Sequence, residues 1–201
     1  MAPSARGPAL LHPPETLISA QGPQGRIRLA IFDVDGVLTD GRLLYGPDGE
    51  MLKAFHVRDG LGLKLLRDGG IVPVVITGRD SAALRQRLAD LGITHAHFGV
   101  QDKLATATAL LDGHALDWAE VAVIGDDWPD LPLLMKAGFA CAPADAHVEV
   151  RAMAHYVTRL RGGEGAAREF CDLLLCASTR YAGLWRLATG TVDDPEAGPP
   201  P

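Results

Sequence analysis

Short β-branched apolar runs punctuate the chain: RLAIFDV, VPVVITG, HAHFG, VAVIGDD, FACAP and HYVTR. Between them lie LGLKLLRD, SAALRQRLADLG, KLATATALLDG and PDLPLLMKAG, which carry helix-forming residues at the helical repeat of about 3.6. Strands that alternate with helices in this way predict βαβ units. The expected fold is therefore α/β, a Rossmann-like parallel sheet flanked by helices. In such sheets ligands bind beyond the carboxyl ends of the strands, where loops lead into helices.

One segment breaks the alternation. GRLLYGPDGEMLKAF has two arms around the turn residues GPDG, which predicts a β-hairpin projecting over the carboxyl end of the first strand. Residues 1–25 are rich in Pro, Gly and Ala, and the end of the chain, TVDDPEAGPPP, is acidic and proline-rich. Both ends are expected to pack poorly, leaving one folded body over 26–178 and a tail over 179–201. A chain of 201 residues suits one good core.

The composition, 47% hydrophobic and 22% charged, is that of a soluble globular protein. A net charge of −6 argues against a nucleic-acid footprint, which needs a basic face. Any anionic ligand must then be held by local cations. Cys141, Cys171 and Cys176 form neither an even framework nor a C-x-x-C pair, which points to a reducing compartment. The opening MAPSARGPALLHPPETL holds only a short apolar patch broken by prolines, so neither a signal peptide nor a membrane span is expected, and the location is read as cytoplasmic.

Candidate chemistry collects at the strand ends. IFDVDGVLTDG sets Asp33 and Asp35 one residue apart where an apolar run stops, and like charges that close call for a cation between them. VVITGR then places Thr77 and the Gly78 amide where a hydroxyl and an N–H can bind a phosphate oxygen. Lys103 opens the next helix as a point charge for the same phosphate. IGDDWPD adds Asp126, Asp127 and Asp130, and clustered acids at a strand end suit a hard cation. Mg²⁺ fits best, because it accepts one or two carboxylates, keeps several waters and bridges to phosphate. His95, His97 and His155 lack metal spacing with acids and are read as structural.

The strand followed by DVDGVLT, then TGR, the lysine and GDD in that order, resembles the haloacid-dehalogenase-type phosphatases. The resemblance implies that Asp33 is the nucleophile, forming an aspartyl-phosphate and ligating the metal. It implies that Asp35 is general acid and then general base, with its main-chain carbonyl in the metal shell. Asp126 would be the second carboxylate ligand, and Asp127 or Asp130 would orient that shell or Lys103. An aspartate at position 35 favours hydrolysis, since the ion-pumping members carry threonine there.

No cap domain fits within 36–76 or 79–102. This capless layout, with KAFHVRDGLGLKLL, GDDWPDLP, DAH and GGEGAAREFCDLLL, closely resembles the 3-deoxy-D-manno-octulosonate 8-phosphate phosphatases from about Leu29 to Leu175. That resemblance implies a small-molecule sugar-acid phosphate as substrate, a role in lipopolysaccharide synthesis, and a homotetramer whose sites are covered by neighbouring subunits. The pocket would be lined by His56, Val57, Arg58, Asp59 and Gly60 with Lys64, Arg79 and Arg87. These would stand beside the phosphate-binding Thr77, Gly78 and Lys103 and the acid Asp35. His56 replaces a more usual asparagine, and the tail after Ser178 is unlike the family's. A nine-carbon keto-sugar acid 9-phosphate is the alternative substrate, and a catalytically silent phosphosugar-binding or assembly domain the alternative class. Retention of Asp33, Asp35, Thr77, Lys103 and Asp126 together speaks against silence.

Overall fold

The structure, a computed structural model, describes residues 10, 12–47 and 49–190. In chain order its helices are α1 (Pro14–Ala20), α2 (Val57–Asp68), α3 (Ala82–Leu91), α4 (Lys103–His114), α5 (Leu131–Leu134), α6 (Val148–Met153), α7 (Ala166–Ala177) and α8 (Tyr181–Thr189). The strands are β1 (Leu29–Phe32), β2 (Leu44–Gly46), β3 (Gly49–Leu52), β4 (Val72–Ile76), β5 (Ala96–His97), β6 (Val121–Ile124), β7 (Phe139–Ala142) and β8 (Tyr156–Val157). Six strands form one parallel sheet in the order β5-β4-β1-β6-β7-β8. The sheet is the expected one.

Burial explains why the strand runs are apolar throughout rather than alternating. All four residues of each of β1, β6 and β7 are buried, since helices cover both faces. On one face Ala30, Phe32, Val75, Ile124 and Phe139 pack with side chains of α2, α3 and α7. Phe170 of α7 sits edge-on to Phe32, with ring centroids 5.4 Å apart. On the other face Leu29, Ile31, Val74, Ile76 and Val123 meet α4, α5 and α6. Two cores therefore sandwich one sheet.

The order of the strands places the site. The chain runs outward from β1 through β4 to β5, then returns to lay β6 on the other side of β1. The direction of winding reverses at β1. Crevices at such a switch point open beyond the carboxyl ends of the strands. Phe32 lies opposite both Val75 and Ile124, so the loops after β1, β4 and β6 leave the sheet side by side.

Helix starts are chemically marked. His56, Ser81 and Asp102 accept main-chain N–H groups at the heads of α2, α3 and α4. The cap on His56 starts α2 at Val57, so the VRDG motif forms the first turn of the helix. The PDLPLL stretch is divided: a 3₁₀ turn over Trp128–Asp130 precedes the short α5, because Pro129 and Pro132 each suit only the opening of a helical segment. The hairpin forms as β2 paired antiparallel with β3 in a sheet of its own, and no cap domain is present among the described residues between Asp35 and Asp102.

The chain ends depart from expectation where they are described. Within 1–25, Pro14–Ala20 is helical because it has an apolar face: Ala20 is buried and Leu17 packs on the core. Gln21 also donates to the Ala177 carbonyl at 3.1 Å. Beyond Ser178, α8 lays Tyr181 and Leu184 against the same core. The acidic, proline-rich stretch 191–201 lies outside the described residues.

The loop before α7 leans on the loop after β1. The Gly163 N–H donates to the Val37 carbonyl at 3.0 Å. A Cβ on Gly162 would lie 1.8 Å from the Gly36 oxygen, so only glycine allows the approach. Gly162→Ala is expected to cost about 1–3 kcal/mol of stability through overpacking against the β1 loop. Urea denaturation checks this, and an alanine variant with unchanged midpoint would contradict it.

Candidate active site

Asp33 is the first residue past β1, and its N–H donates to the Ile124 carbonyl at 3.1 Å. That bond carries the β1–β6 register one residue beyond the strand. Three amides, those of Val37, Leu38 and Thr39, then converge on the Val34 carbonyl, which curls the loop tightly. Asp126 follows β6, and Asp130 closes the 3₁₀ turn. One carboxylate oxygen each from Asp33, Asp126 and Asp130 lie within 4.8 Å of one another. Gly36, at φ +98°, makes room: a Cβ there would sit 2.1 Å from Asp126 Oδ2.

Such crowding is unfavourable unless a cation joins it. Burial, reinforced by Asp130, pushes Asp33 up to about 7 even though Lys103 pulls the other way. Asp126 is pushed up to about 8, again by burial first and then by Asp33, Asp130 and Asp127. Lys103 is 8% exposed and donates to Asp33 at 2.5 Å and to Asp130 at 2.7 Å. Burial alone would lower its pKa, but the two carboxylates outweigh burial and raise it. One lysine does not neutralise three acids. The all-oxygen donor set, its closeness and its unrelieved repulsion fit a hard divalent cation.

Around this cluster the other strand-end residues take up their places. Thr77 is buried after β4, and its Oγ1 accepts the Arg79 N–H at 3.2 Å, leaving the hydroxyl proton free to donate. Gly78 is exposed beside it. Asp130 meets Lys103 and also accepts the Asp126 N–H at 3.2 Å. Asp127 is exposed and accepts the Trp128 N–H at 2.8 Å as the cap of the 3₁₀ turn. The Asp35 carboxylate lies outside the three-acid cluster and has cations of its own: Lys53 Nζ donates to Oδ1, and Arg79 Nε stands 3.6 Å from Oδ2.

Comparison with known proteins places this geometry. A family model described as haloacid dehalogenase-like hydrolase matches residues 99–170. The 3-deoxy-D-manno-octulosonate 8-phosphate phosphatase KdsC of Yersinia pestis is 47% identical over 162 residues, covering 81% of this chain and 87% of that protein. Its counterpart in Escherichia coli K12 is 48% identical over 151 residues, 75% of this chain and 80% of that one. The chain belongs to the 3-deoxy-D-manno-octulosonate 8-phosphate phosphatase family. A crystal structure of the phosphatase of that name from Moraxella catarrhalis, in complex with magnesium ion, phosphate ion and KDO, superposes with a TM-score of 0.81 at 38% identity. The match covers 90% of this chain and all of that one.

Within this member of the 3-deoxy-D-manno-octulosonate 8-phosphate phosphatase family, four of the residues expected to line a sugar pocket, His56, Asp59, Gly60 and Arg87, border one small cavity with Leu38 and Phe55, and Val57, Arg58, Lys64 and Arg79 lie outside its lining. Arg79 reaches Asp35. Arg87 lies over Gly60, where a Cβ would meet its Nη2 at 2.3 Å, and that nitrogen donates to the His56 carbonyl at 3.5 Å. His56 Nδ1 accepts the Arg58 N–H at 3.2 Å, so histidine does the capping that an asparagine oxygen could do. Val57 is exposed, Lys64 is half-buried, and Arg58 lines an open cleft with His12, Arg159 and Arg168. Asp59, expected to line the pocket, borders that cavity, is 2% exposed and accepts the Arg168 N–H at 2.8 Å. The first turn of α7 needs an acceptor there, and Asp59 supplies it by tying α2 to α7.

Lys53 went unassigned by sequence reasoning, although it opens the KAFHVRDG segment. The available signal was a lysine at the close of an apolar hairpin arm, three residues after Glu50. His155 does have a structural task, its Nδ1 accepting the Ala140 N–H at 2.9 Å.

The raised carboxylates set a pH dependence. In the metal-free protein Asp33 and Asp126 hold protons that the unfolded chain has already released, so between about pH 4 and pH 8 stability falls as pH rises. Asp126→Asn should flatten that slope, and saturating divalent metal should remove it. Urea midpoints across this range in EDTA check the sign; identical slopes for wild type and variant would refute it.

Proposed function

We propose that this chain hydrolyses 3-deoxy-D-manno-octulosonate 8-phosphate to the free sugar acid and phosphate, in lipopolysaccharide synthesis. The observation that carries the reading is the coincidence of two facts. The chain is 47% identical to the Yersinia pestis phosphatase over 81% of its length, and Asp33, Asp126 and Asp130 meet at the switch point of the sheet.

Asp33 attacks phosphorus, the bond to the sugar oxygen breaks, and Asp35 gives that oxygen its proton. Asp35 then takes a proton from water, which attacks the aspartyl-phosphate and returns Asp33 as a free carboxylate. Lys103, the Thr77 hydroxyl and the Gly78 amide bind the equatorial oxygens as charge builds there. Asp33 and Asp126, with the Asp35 main-chain carbonyl, would hold the divalent ion, for which we propose Mg²⁺, and Asp130, whose oxygens accept Lys103 Nζ and the Asp126 N–H, would orient that shell. When bound it supplies charge neutralisation between the carboxylates and the phosphoryl group.

Water exclusion falls to the hairpin and a neighbouring copy. Leu44, Tyr45, Met51 and Leu52 are each more than half exposed on the hairpin, an apolar surface that suits burial in the homotetramer we propose. No helix among the described residues is long and apolar enough to cross a membrane. The free thiols Cys141, Cys171 and Cys176 support a reducing, cytoplasmic setting.

Released phosphate from eight-carbon and nine-carbon keto-sugar acid phosphates tests the substrate. Preference for the eight-carbon ester is expected, together with silence in EDTA, recovery in Mg²⁺ and a loss on the order of 10⁴-fold in Asp33→Asn. An Asp33→Asn enzyme near wild-type rate would refute the nucleophile, and preference for the longer sugar would refute the substrate. Analytical ultracentrifugation is expected to give a tetramer; a fully active monomer would defeat the assembly.

A further inference from the structure

Lys53 has no task in the chemistry given so far, yet it is the most deeply enclosed cation of the hairpin. It follows β3, and its side chain is 1% exposed. Lysine is rarely enclosed so fully unless it is paired. Its Nζ donates to Asp35 Oδ1 and stands 3.3 Å from Glu50 Oε1. The second cation beside Asp35, Arg79, is at 3.6 Å and beyond hydrogen-bond distance. The direct side-chain donor to Asp35 therefore comes from the hairpin, 18 residues further along the chain.

A carboxylate that passes a proton must be aimed as well as present, since transfer needs the oxygen within hydrogen-bond reach of the leaving atom. The loop of Asp35 is fixed through its backbone by the amides gathered on the Val34 carbonyl, which leaves the carboxylate free to rotate. Lys53 stops that rotation. Glu50, with its side chain 18% exposed, also holds the ammonium. We propose that Lys53 is a positioning residue: the hairpin carries it under Asp35 and points that carboxylate at the leaving-group oxygen, so the acid is in place only when the hairpin is docked. The inference rests on the phosphatase reading of the site. Because Nζ is enclosed between two carboxylates, Lys53 acts through Asp35 and not as a ligand of the substrate.

The leaving group separates this role from a merely structural one. An alkoxide departing from a sugar phosphate needs a proton, whereas p-nitrophenolate departs readily without one. Lys53→Met is expected to lower kcat/KM, which reads the leaving-group step and not the later attack of water, about 10²-fold on the sugar phosphate, within the range for general acid catalysis, and less than about 3-fold on p-nitrophenyl phosphate. Lys53→Arg should recover most of the loss. Glu50→Gln should show the same selectivity at smaller size, and it reads the proposal even where Lys53→Met folds poorly. Equal losses on both esters would overturn the proposal. Wild-type enzyme silent on the sugar phosphate but active on p-nitrophenyl phosphate would instead overturn the substrate reading. Glycerol 3-phosphate then serves as the alkyl ester on which Lys53 is judged.

Discussion

Three carboxylates held within 4.8 Å of one another, where β1 and β6 end, are the constraint on which the rest depends. Left to itself the chain would separate them. The in-register pairing of Phe32 with Ile124 forces the two loops together, and the tight fit of Asp126 on Gly36 permits no retreat. The fold thus builds local repulsion that burial intensifies, and the stable packing of two apolar cores sustains it. A single buried lysine relieves part of it. What remains is a binding force for a divalent cation and, through it, for an anionic ester.

The supports of that arrangement lie far along the chain. Glu169, 8% exposed, accepts the Tyr156 hydroxyl at 2.7 Å and the amides of Arg159 and Leu160. This anchors the strand that leads into the Gly162–Gly163 loop, and Asp145 fixes the loop itself by accepting the Gly162 N–H at 2.9 Å. The loop in turn presses on Gly36 and Val37. Asp59 ties the head of α7 to α2 from the other side. The GGEGAARE stretch, with Asp59 of the VRDG motif, thus braces the β1 loop.

The hairpin is the element that joins the β1 loop to α2. A two-stranded element buries too little to be stable alone. Its ion pair with the β1 loop, between Lys53 and Asp35, gives it a partner within the chain.

The apolar runs, their alternation with helices and the acids at strand ends were legible because each is a local signal: full burial makes a central strand uniformly apolar, and chemistry in this fold sits where strands stop. The hairpin was legible from GPDG for the same reason. Helical ends were not, since α1 and α8 are short, lie beside proline-rich stretches and are held by contacts with α7. Asp59, Lys53 and Asp130 show the deeper limit. An aspartate and a lysine look alike in sequence whether they face a ligand, a helix terminus or each other, and side-chain partners 18, 27 and 109 residues apart are chosen by packing. The sequence by itself determined the sheet, its order of elements and the kind of chemistry. Only the tertiary structure decided which charged groups meet, because Coulomb and hydrogen-bond energies depend on distances that the linear order does not contain.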